Sequence, residues 1–530
     1  MRESERPTRE QEAIDEMAAT RLAPGVAAAL PALLLVLVAG WWVAEGAVGG
    51  IGWRALADSA RQGWSAAAGF FAGNRALATA AAEIERAFDR DSAAARAMRP
   101  PVQALLTGLL GVGNEQAYPG RAGWVLFRSD FDYLTGPGFL APSQLAARPG
   151  ADPRDAILGL NRALAERDIA LLLLPVPVKP AVHPESLGGD PALAPLRNPS
   201  ELALFAELGR AGVAWLDPAP ELAARARAGE PQYLRGDSHW RPEAVERVAA
   251  LAAARLRALL PLPPPTVGCE REPQRIAGRG DSVALLGLPA WAPLDAAEEV
   301  AVRRVLGSGG APWRATRGAP VLLLGDSFSN VFSQPELGWG EGAGLAEQLA
   351  CALGLPVDRI ALNAGGARGA REELSRELAR GVDRLAGVRV VLWQFAAREL
   401  AAGDWTPLEL PRPTAPRDGP AMAQATGARL RGVVRAVAPL PEPGRAPYRE
   451  ALGAVELELE GGARALVYLW ALRDGELAEL AAVRPGGRLE LAVDPWSARE
   501  AELGSLQRIE LPGEAWWELP VYVERDGEVR

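Results

Sequence analysis

The sequence predicts an α/β fold, a mostly parallel sheet with helices on both faces, followed by a small all-β domain. Three observations predict it. Between residues 152 and 395, apolar runs of strand length alternate with amphipathic helical stretches, the pattern of a sheet covered on both faces. The aliphatic run 321–324 stops at Gly325, passes through small and polar residues and a Gly-rich run at 338–344, and meets a helical stretch at 345–353. Strand, tight turn, helix exposes a side chain at the carboxyl end of a sheet. Beyond a Pro-rich stretch, residues 423–530 alternate in polarity and are broken by glycine-rich turns, as in a small β-barrel or sandwich.

Bulk properties narrow the classes. A chain of 530 residues is too long for one ordinary core, so two or three units are expected. The net charge of −9 argues against a nucleic-acid partner, which needs a basic patch. Two cysteines, Cys269 and Cys351, lack CxxC spacing and neighbouring ligands, so no metal is expected, and no cofactor either. Whether they pair is left open. Lys179 is the single lysine, and His183 and His239 are the only histidines, so histidine chemistry must use one of those two.

In chain order, residues 1–21 form a polar leader and 22–44 carry no charge. At about 1.5 Å per residue, 22–44 spans a bilayer of roughly 30 Å, with Trp41 and Trp42 at its interfacial end. Arg2, Arg6, Arg9 and Arg21 precede this span and only Arg54 and Arg61 follow closely, which places the leader in the cytoplasm. Residues 45–110 read as a helical stalk. The 123–140 segment reads as a strand and a Gly-Pro turn, either a structural hairpin on the sheet edge or a cleft lined by Arg128, Asp130, Asp132 and Tyr133.

The main unit, 111–406, is expected to hold strands at 169–178, 213–216, 320–324, 358–362 and 388–395. Helices are expected at 156–167, 202–208, 242–260, 345–353 and 370–386, with an excursion from the core at 261–318. A linker at 407–422 leads to the β unit, 423–530, in which Trp496, Trp516 and Trp517 either stack on sugars or pack the core.

The triplet Gly-Asp-Ser occurs at 236–238, 280–282 and 325–327, and only the third follows a buried strand and precedes a helix. Ser327 is therefore the candidate nucleophile, and 280–282 reads as a loop or helix cap. In Asp237-Ser238-His239-Trp240, the i and i+2 side chains of an extended segment share a side, so Asp237 can orient His239 as the base for Ser327. The alternative is a capping Asp beside a core histidine. His183 reads as a loop or packing residue. Asn363, at a strand end, either donates to an oxyanion or forms a turn. Arg368 and Arg371 either meet an anionic sugar or lie on a solvated helix face. Asn363, Arg371 and Lys179 are the candidates for oxyanion or substrate contacts.

Gly325-Asp326-Ser327 with a downstream Asn resembles the SGNH, or GDSL-like, hydrolase superfamily. In that superfamily the Asp-His pair usually follows the serine, whereas here it precedes it. That order resembles the alginate O-acetyltransferase AlgJ/AlgX family, with support from PVPVKPAVHPE at 175–185, YLRGDSHW at 233–240, LLLGDSFSN at 322–330 and VLWQFAAREL at 391–400. The resemblance covers about 110–405. It implies an SGNH-like, flavodoxin-like catalytic fold and a triad of Ser327, His239 and Asp237. It also implies an acetyl-serine intermediate and an exported polysaccharide as acceptor, with a membrane-bound O-acyltransferase as acetyl donor. The protein is then expected at the inner membrane, single-pass, with its catalytic unit in the periplasm. An acetyl esterase of the same fold, or a non-catalytic scaffold in an export complex, are the alternatives.

Overall fold

The computed structural model of the chain describes residues 93–525, apart from 149, 151, 290, 292–293, 295–296, 414–426, 442–447, 505 and 514–515. The leader at 1–21, the apolar stretch at 22–44, most of the stalk and part of the linker lie outside the described residues. Contacts divide the chain into Met1–Val102 and Gln103–Arg530. In the first unit the described residues open helix α1 (Ala93–Leu110), whose body holds Pro100 and Pro101.

The second unit opens with β1 (Ala117–Pro119) antiparallel to β2 (Val125–Phe127), and then helix α2 (Arg128–Thr135). The expected strand at 123–140 is thus three residues long and not part of the main sheet. RSDFDYLT is helical because Asp130 and Tyr133 fall one turn apart and are buried together, while Arg128 and Asp132 pair across a turn on the exposed side.

The chain continues through α3 (Pro153–Ala165), β3 (Ala170–Val176), α4 (Glu201–Arg210), β4 (Ala214–Trp215), α5 (Ala219–Arg227) and α6 (Pro242–Leu259). It goes on through β5 (Glu270–Gly278), α7 (Asp281–Leu285), β6 (Glu298–Leu306), β7 (Val321–Gly325), α8 (Ser327–Asn330), α9 (Leu345–Leu353), β8 (Val357–Ala361), α10 (Gly366–Ala379) and β9 (Val390–Ala396). Five strands form one sheet in the order β4-β3-β9-β7-β8, every pair parallel.

Successive residues of a strand face opposite sides, and the sheet is apolar on both. Leu172, Leu174, Leu323 and Leu392 pack on one face with α5, α6 and α9. Leu171, Leu173, Leu324 and Trp393 pack on the other with α3, α4 and α10. This double burial is why the strands read as unbroken apolar runs. Caps set the helix starts: Asp152 accepts the Arg154 N–H ahead of Pro153 at the first turn of α3.

Part of the excursion at 261–318 is a hairpin of β5 and β6, paired antiparallel from Glu270↔Leu306 to Gly278↔Glu298. Every residue of β5 is exposed or half-buried, so it carries no hydrophobic alternation to read. Cys269, just before β5, is disulfide-bonded to Cys351 in α9, with Cα atoms 4.9 Å apart.

After β9 the chain builds β10 (Ala428–Val437), β11 (Ala451–Leu459), β12 (Arg464–Arg473), β13 (Glu476–Leu477), β14 (Arg488–Pro495), helix α11 (Trp496–Leu503), β15 (Gln507–Ile509) and β16 (Val521–Glu524). The strand order β12-β16-β14-β10-β11 closes because β11 also pairs with β12, giving a barrel-like sheet. Trp516 and Trp517 are buried core residues. Trp496 is half-buried, packed against Tyr468 and under Arg508.

The expected localisation as a single-pass inner-membrane protein is corrected by the structure: among the described residues, no helix is long and apolar enough to cross a membrane. Two helices reach 18 residues. Paired prolines interrupt α1, and α6 carries Glu243, Glu246, Arg247, Arg255 and Arg257.

Candidate active site

Strand β7 ends at Gly325, where a Cβ would lie 2.4 Å from Ser329 Oγ and 3.0 Å from Gln394 Oε1. Only glycine lets the chain turn this tightly against β9. Asp326 then caps α8, accepting the Phe328 N–H at 2.9 Å, the Gln394 side-chain amide at 2.8 Å and the Ala396 N–H at 3.1 Å. These bonds fix Ser327, the first residue of α8, half-buried at the carboxyl end of the sheet.

Ser327 Oγ lies 2.8 Å from His239 Nε2, and His239 Nδ1 lies 2.6 Å from Asp237 Oδ1. Asp237 and His239 belong to the loop between α5 and α6, and both are buried. Asp237 is saturated. Its Oδ1 also accepts the His239 N–H at 2.9 Å, and its Oδ2 accepts the Trp339 indole N–H at 2.8 Å and the Asp281 N–H at 3.0 Å. Trp240 ties this loop to the serine turn, its indole N–H donating to Phe328 O at 3.0 Å. The Phe328 ring packs 4.8 Å from the His239 imidazole.

Electrostatics follow from this packing. Burial alone would raise the Asp237 pKa, but the charge and hydrogen bonds of His239, with the Trp339 N–H, hold it well below the usual carboxylate range. Burial would lower His239, but Asp237, the bond to it and the nearby Asp281 carboxylate outweigh that and raise it, against an opposing push from Arg398. The result is an imidazole held as the Nδ1–H tautomer, with Nε2 facing a hydroxyl. That arrangement can take a proton from Ser327 and return it.

The donor atoms of Asp237, His239 and Asp281 lie within 4.8 Å of one another, the spacing of a metal site. The carboxylate oxygens are already filled by backbone, indole, hydroxyl and imidazole donors, so this set does not fit a cation and is not assigned one.

The other candidates lie elsewhere. Asn363 donates to Gln334 Oε1 at 2.6 Å and accepts from Asn330 Nδ2 at 3.0 Å, a buried amide network beside α8. Arg371 is buried, donates to the carbonyls of Ala367, Asp404 and Thr406, and packs on Trp393 and Trp405, so it anchors the core and does not meet a sugar. Burial lowers its pKa to about 10. Arg368 pairs with Glu372 and Asp404 on the face of α10. Lys179 is fully buried beneath the site, donating to Val125 O at 2.5 Å and Arg235 O at 3.2 Å. Burial lowers its pKa to about 8, although Asp281, Asp237 and Asp130 pull it up. His183 bonds Glu185 and accepts the Gln232 N–H, a packing role.

Sequence reasoning missed three contributors. Trp339 and Asp281 hold Asp237. Arg398 bonds fully buried Asp130 at 2.9 Å and lies 5.5 Å over the Phe328 ring. The signal for Asp281 was the repeated Gly-Asp-Ser triplet itself. The cavities among the described residues include two of note. One of about 710 Å³ is lined by Trp313, Gln334, Arg359, Trp496, Glu500 and Arg508, and one of about 300 Å³ by Tyr133, Gln144, Arg148 and Arg398.

A parallel sheet with a serine at the tip of an inner strand, faced by an upstream Asp-x-His loop, defines an SGNH hydrolase-like protein. More narrowly, the chain belongs to the family described as the SGNH hydrolase-like domain of the acetyltransferase AlgX, which matches residues 118–397. Among solved structures it is similar to the O-acetyltransferase domain of Pseudomonas putida AlgJ, at 22% identity over 54% of this chain and 92% of that one, with a TM-score of 0.41. It is similar to Pseudomonas aeruginosa AlgX at 18% identity over 70% and 85%, TM-score 0.37. Bacillus cereus PatB1 follows at 12% identity over 54% and 97%, TM-score 0.33. No curated protein gives a match.

Proposed function

We propose that the protein is an O-acetyltransferase that moves acetyl groups onto hydroxyls of a polysaccharide through an acetyl group held on Ser327. Membership of the AlgX acetyltransferase family supports the reaction class. The observation that carries the mechanism is the continuous hydrogen-bonded line from Asp237 through His239 to Ser327. Ser327 Oγ attacks the carbonyl carbon of the donor as His239 Nε2 takes its proton. The tetrahedral intermediate collapses as His239 returns that proton to the leaving group, and the acetyl group stays on Ser327. An acceptor hydroxyl then gives its proton to His239 while its oxygen attacks acetyl-Ser327. His239 finally hands the proton back to the serine. Asp237 holds the tautomer and faces the imidazolium that forms at each step.

The donor side of the proposal is a membrane-bound O-acyltransferase partner. The net charge of −9 favours an uncharged polysaccharide over a polyanionic one as acceptor. Ser327 is only half-buried, so water can reach the same acetyl-enzyme, which favours an esterase as the second reading. Burial of Ser327 far from His239 would support a scaffold without catalysis, whereas the two lie 2.8 Å apart, which supports the catalytic reading.

The test combines the purified chain with a chromogenic acetyl ester and a neutral oligosaccharide. A transferase gives acetylated oligosaccharide and a protein species heavier by one acetyl group at Ser327. An esterase gives acetate alone. Retained turnover in Ser327→Ala would overturn both.

A further inference from the structure

Two of the three Gly-Asp-Ser triplets meet face to face. The Asp281 N–H donates to Asp237 Oδ2 at 3.0 Å, and the Ser238 N–H donates back to Asp281 Oδ1 at 2.6 Å. Each aspartate therefore accepts a backbone N–H from the other triplet. The Ser238 hydroxyl adds a bond to Asp281 Oδ2 at 2.5 Å, and the Val283 N–H bonds Gly236 O at 3.0 Å. The approach is so close that Gly280, at φ +87°, admits no side chain: a Cβ there would stand 2.3 Å from Gly236 O. One consequence matters for chemistry. Asp281 Oδ2 comes within 3.5 Å of His239 Nδ1, the nitrogen already bonded to Asp237.

We propose that Asp281 is a positioning residue of the site: it clamps the 236–239 loop through Ser238 and sets a second carboxylate beside His239 Nδ1. The imidazolium formed when Ser327 gives up its proton then has two negative charges beside its Nδ1. The charged groups facing His239 are Asp237 from its own loop, Asp281 from α7 and Arg398 from the segment after β9, the last opposing the other two. Lys179 acts on Asp281 and Asp237 from beneath, and Asp130 stands beside Lys179. Asp281 acts in the same direction as Asp237 and raises the basicity of His239, so its removal lowers it.

The kinetic arm of the test rests on the proposed acetyl transfer, and the spectroscopic arm does not. With only two histidines in the chain, ring-labelled histidine NMR of the full-length protein resolves both, and His239→Gln assigns them. Asp281→Asn keeps the clamp, since an amide oxygen accepts the Ser238 N–H and the amide nitrogen donates to its hydroxyl, but removes the charge. The expected result is a His239 midpoint moved to lower pH and a His183 signal left unchanged. The acid limb of kcat/KM moves by the same interval, and the plateau falls roughly 10-fold, a share of what general-base catalysis supplies. Asp281→Glu, which keeps the charge, moves the midpoint back towards wild type and stands in should the Asn variant fail to fold. A His239 midpoint unchanged in Asp281→Asn overturns the proposal, even if activity falls, because a purely structural role predicts that pattern. If Asp281→Asn does not fold, a Glu variant whose His239 midpoint falls as far below wild type as loss of the charge requires overturns it too. A midpoint that shifts in a protein without acetyl transfer leaves Asp281 assigned and overturns the functional reading instead.

Discussion

His239 Nε2 sits 2.8 Å from Ser327 Oγ although the two residues are 88 positions apart. The contact is made by two independent loops, one between α5 and α6 and one at the tip of β7. Neither loop is fixed by its own flanking elements alone. Trp240 reaches across to the Phe328 carbonyl, and the Phe328 ring packs on the imidazole, so the histidine loop and the serine turn are held as one piece. Preorganisation of this kind spares the site the reorganisation that a mobile base would need.

Asp237→Asn is expected to leave the fold intact and cost about 10⁴ in kcat. An amide in this place keeps the volume but loses the charge that favours the imidazolium. It also turns an N–H towards one of the donors that Asp237 now accepts from. Thermal melting checks the fold and ester turnover checks the rate. A loss below tenfold would mean that Asp237 does not support His239 as the base.

The pH dependence has a definite sign. His239 titrates above the ordinary histidine value of 6.5 and must be neutral to accept a proton. The kcat/KM profile should therefore rise with pH through a midpoint above 6.5. Its effect on stability runs the other way. A raised folded pKa contributes stabilisation that is fully present below 6.5 and is lost as pH climbs through the folded midpoint. Asp237, held below 3.8, contributes stabilisation present above that value and lost as pH falls beneath it. A kinetic midpoint at or below 6.5 contradicts the assignment.

Trp339 donates its indole N–H to Asp237 Oδ2 from inside the Gly-rich run at 338–344. Trp339→Phe keeps most of the buried ring but removes that donor. A hydrogen bond to a charged group is worth about 1.5–3 kcal/mol, so kcat should fall about 10- to 100-fold. KM should stay near wild type because the indole faces Asp237 and not the opening at Ser327. Equal losses in KM and kcat would point to a collapsed loop.

Much of this was legible in the sequence, for physical reasons that differ by element. Strands buried on both faces advertise themselves as unbroken apolar runs, and β3, β7 and β9 fall within a few residues of their expected bounds. That Ser327, His239 and Asp237 come within hydrogen-bond reach was legible because a two-histidine chain leaves few combinations. The hairpin β5–β6 was not, since an exposed strand has no apolar period. Arg371 and Lys179 misled because a buried cation and a ligand-binding one look alike in sequence. What separates them is whether carbonyl oxygens already occupy their donors. Asp281 was hidden by distance, its partner Ser238 lying 43 positions away.

The disulfide between Cys269 and Cys351 closes a loop of 82 residues and joins the exposed β5 hairpin to α9 in the core. A loop of that length is worth about 2–4 kcal/mol of folded-state stability. Cys269→Ser, or reductant added to the wild type, should lower the denaturant midpoint to the same extent, and reductant should not lower it further in the variant. A wild-type midpoint indifferent to reductant would show that the bond is not formed.

Lys179→Met tests the single lysine, and its outcome is a pH dependence. Its ammonium sits among Val125 O, Arg235 O and the carboxylates of the site, fully buried. Desolvation holds its pKa at about 8 against an unfolded value of 10.5. The unfolded chain therefore binds more protons between those two values, so this residue makes the wild type more stable as pH rises from about 8 to 10.5. The full linkage for a shift of that size is roughly 3 kcal/mol. Methionine has no such titration and takes its donor from Val125 O, at about 1–3 kcal/mol, whereas Arg235 O keeps the Val125 N–H. The gap between wild type and variant should move in the wild type's favour between pH 8 and 10.5, by roughly that linkage. Denaturant melts across that range supply the measurement. A gap that stays constant with pH would mean that Lys179 remains charged in the fold and that the neighbouring carboxylates, not desolvation, dominate its surroundings.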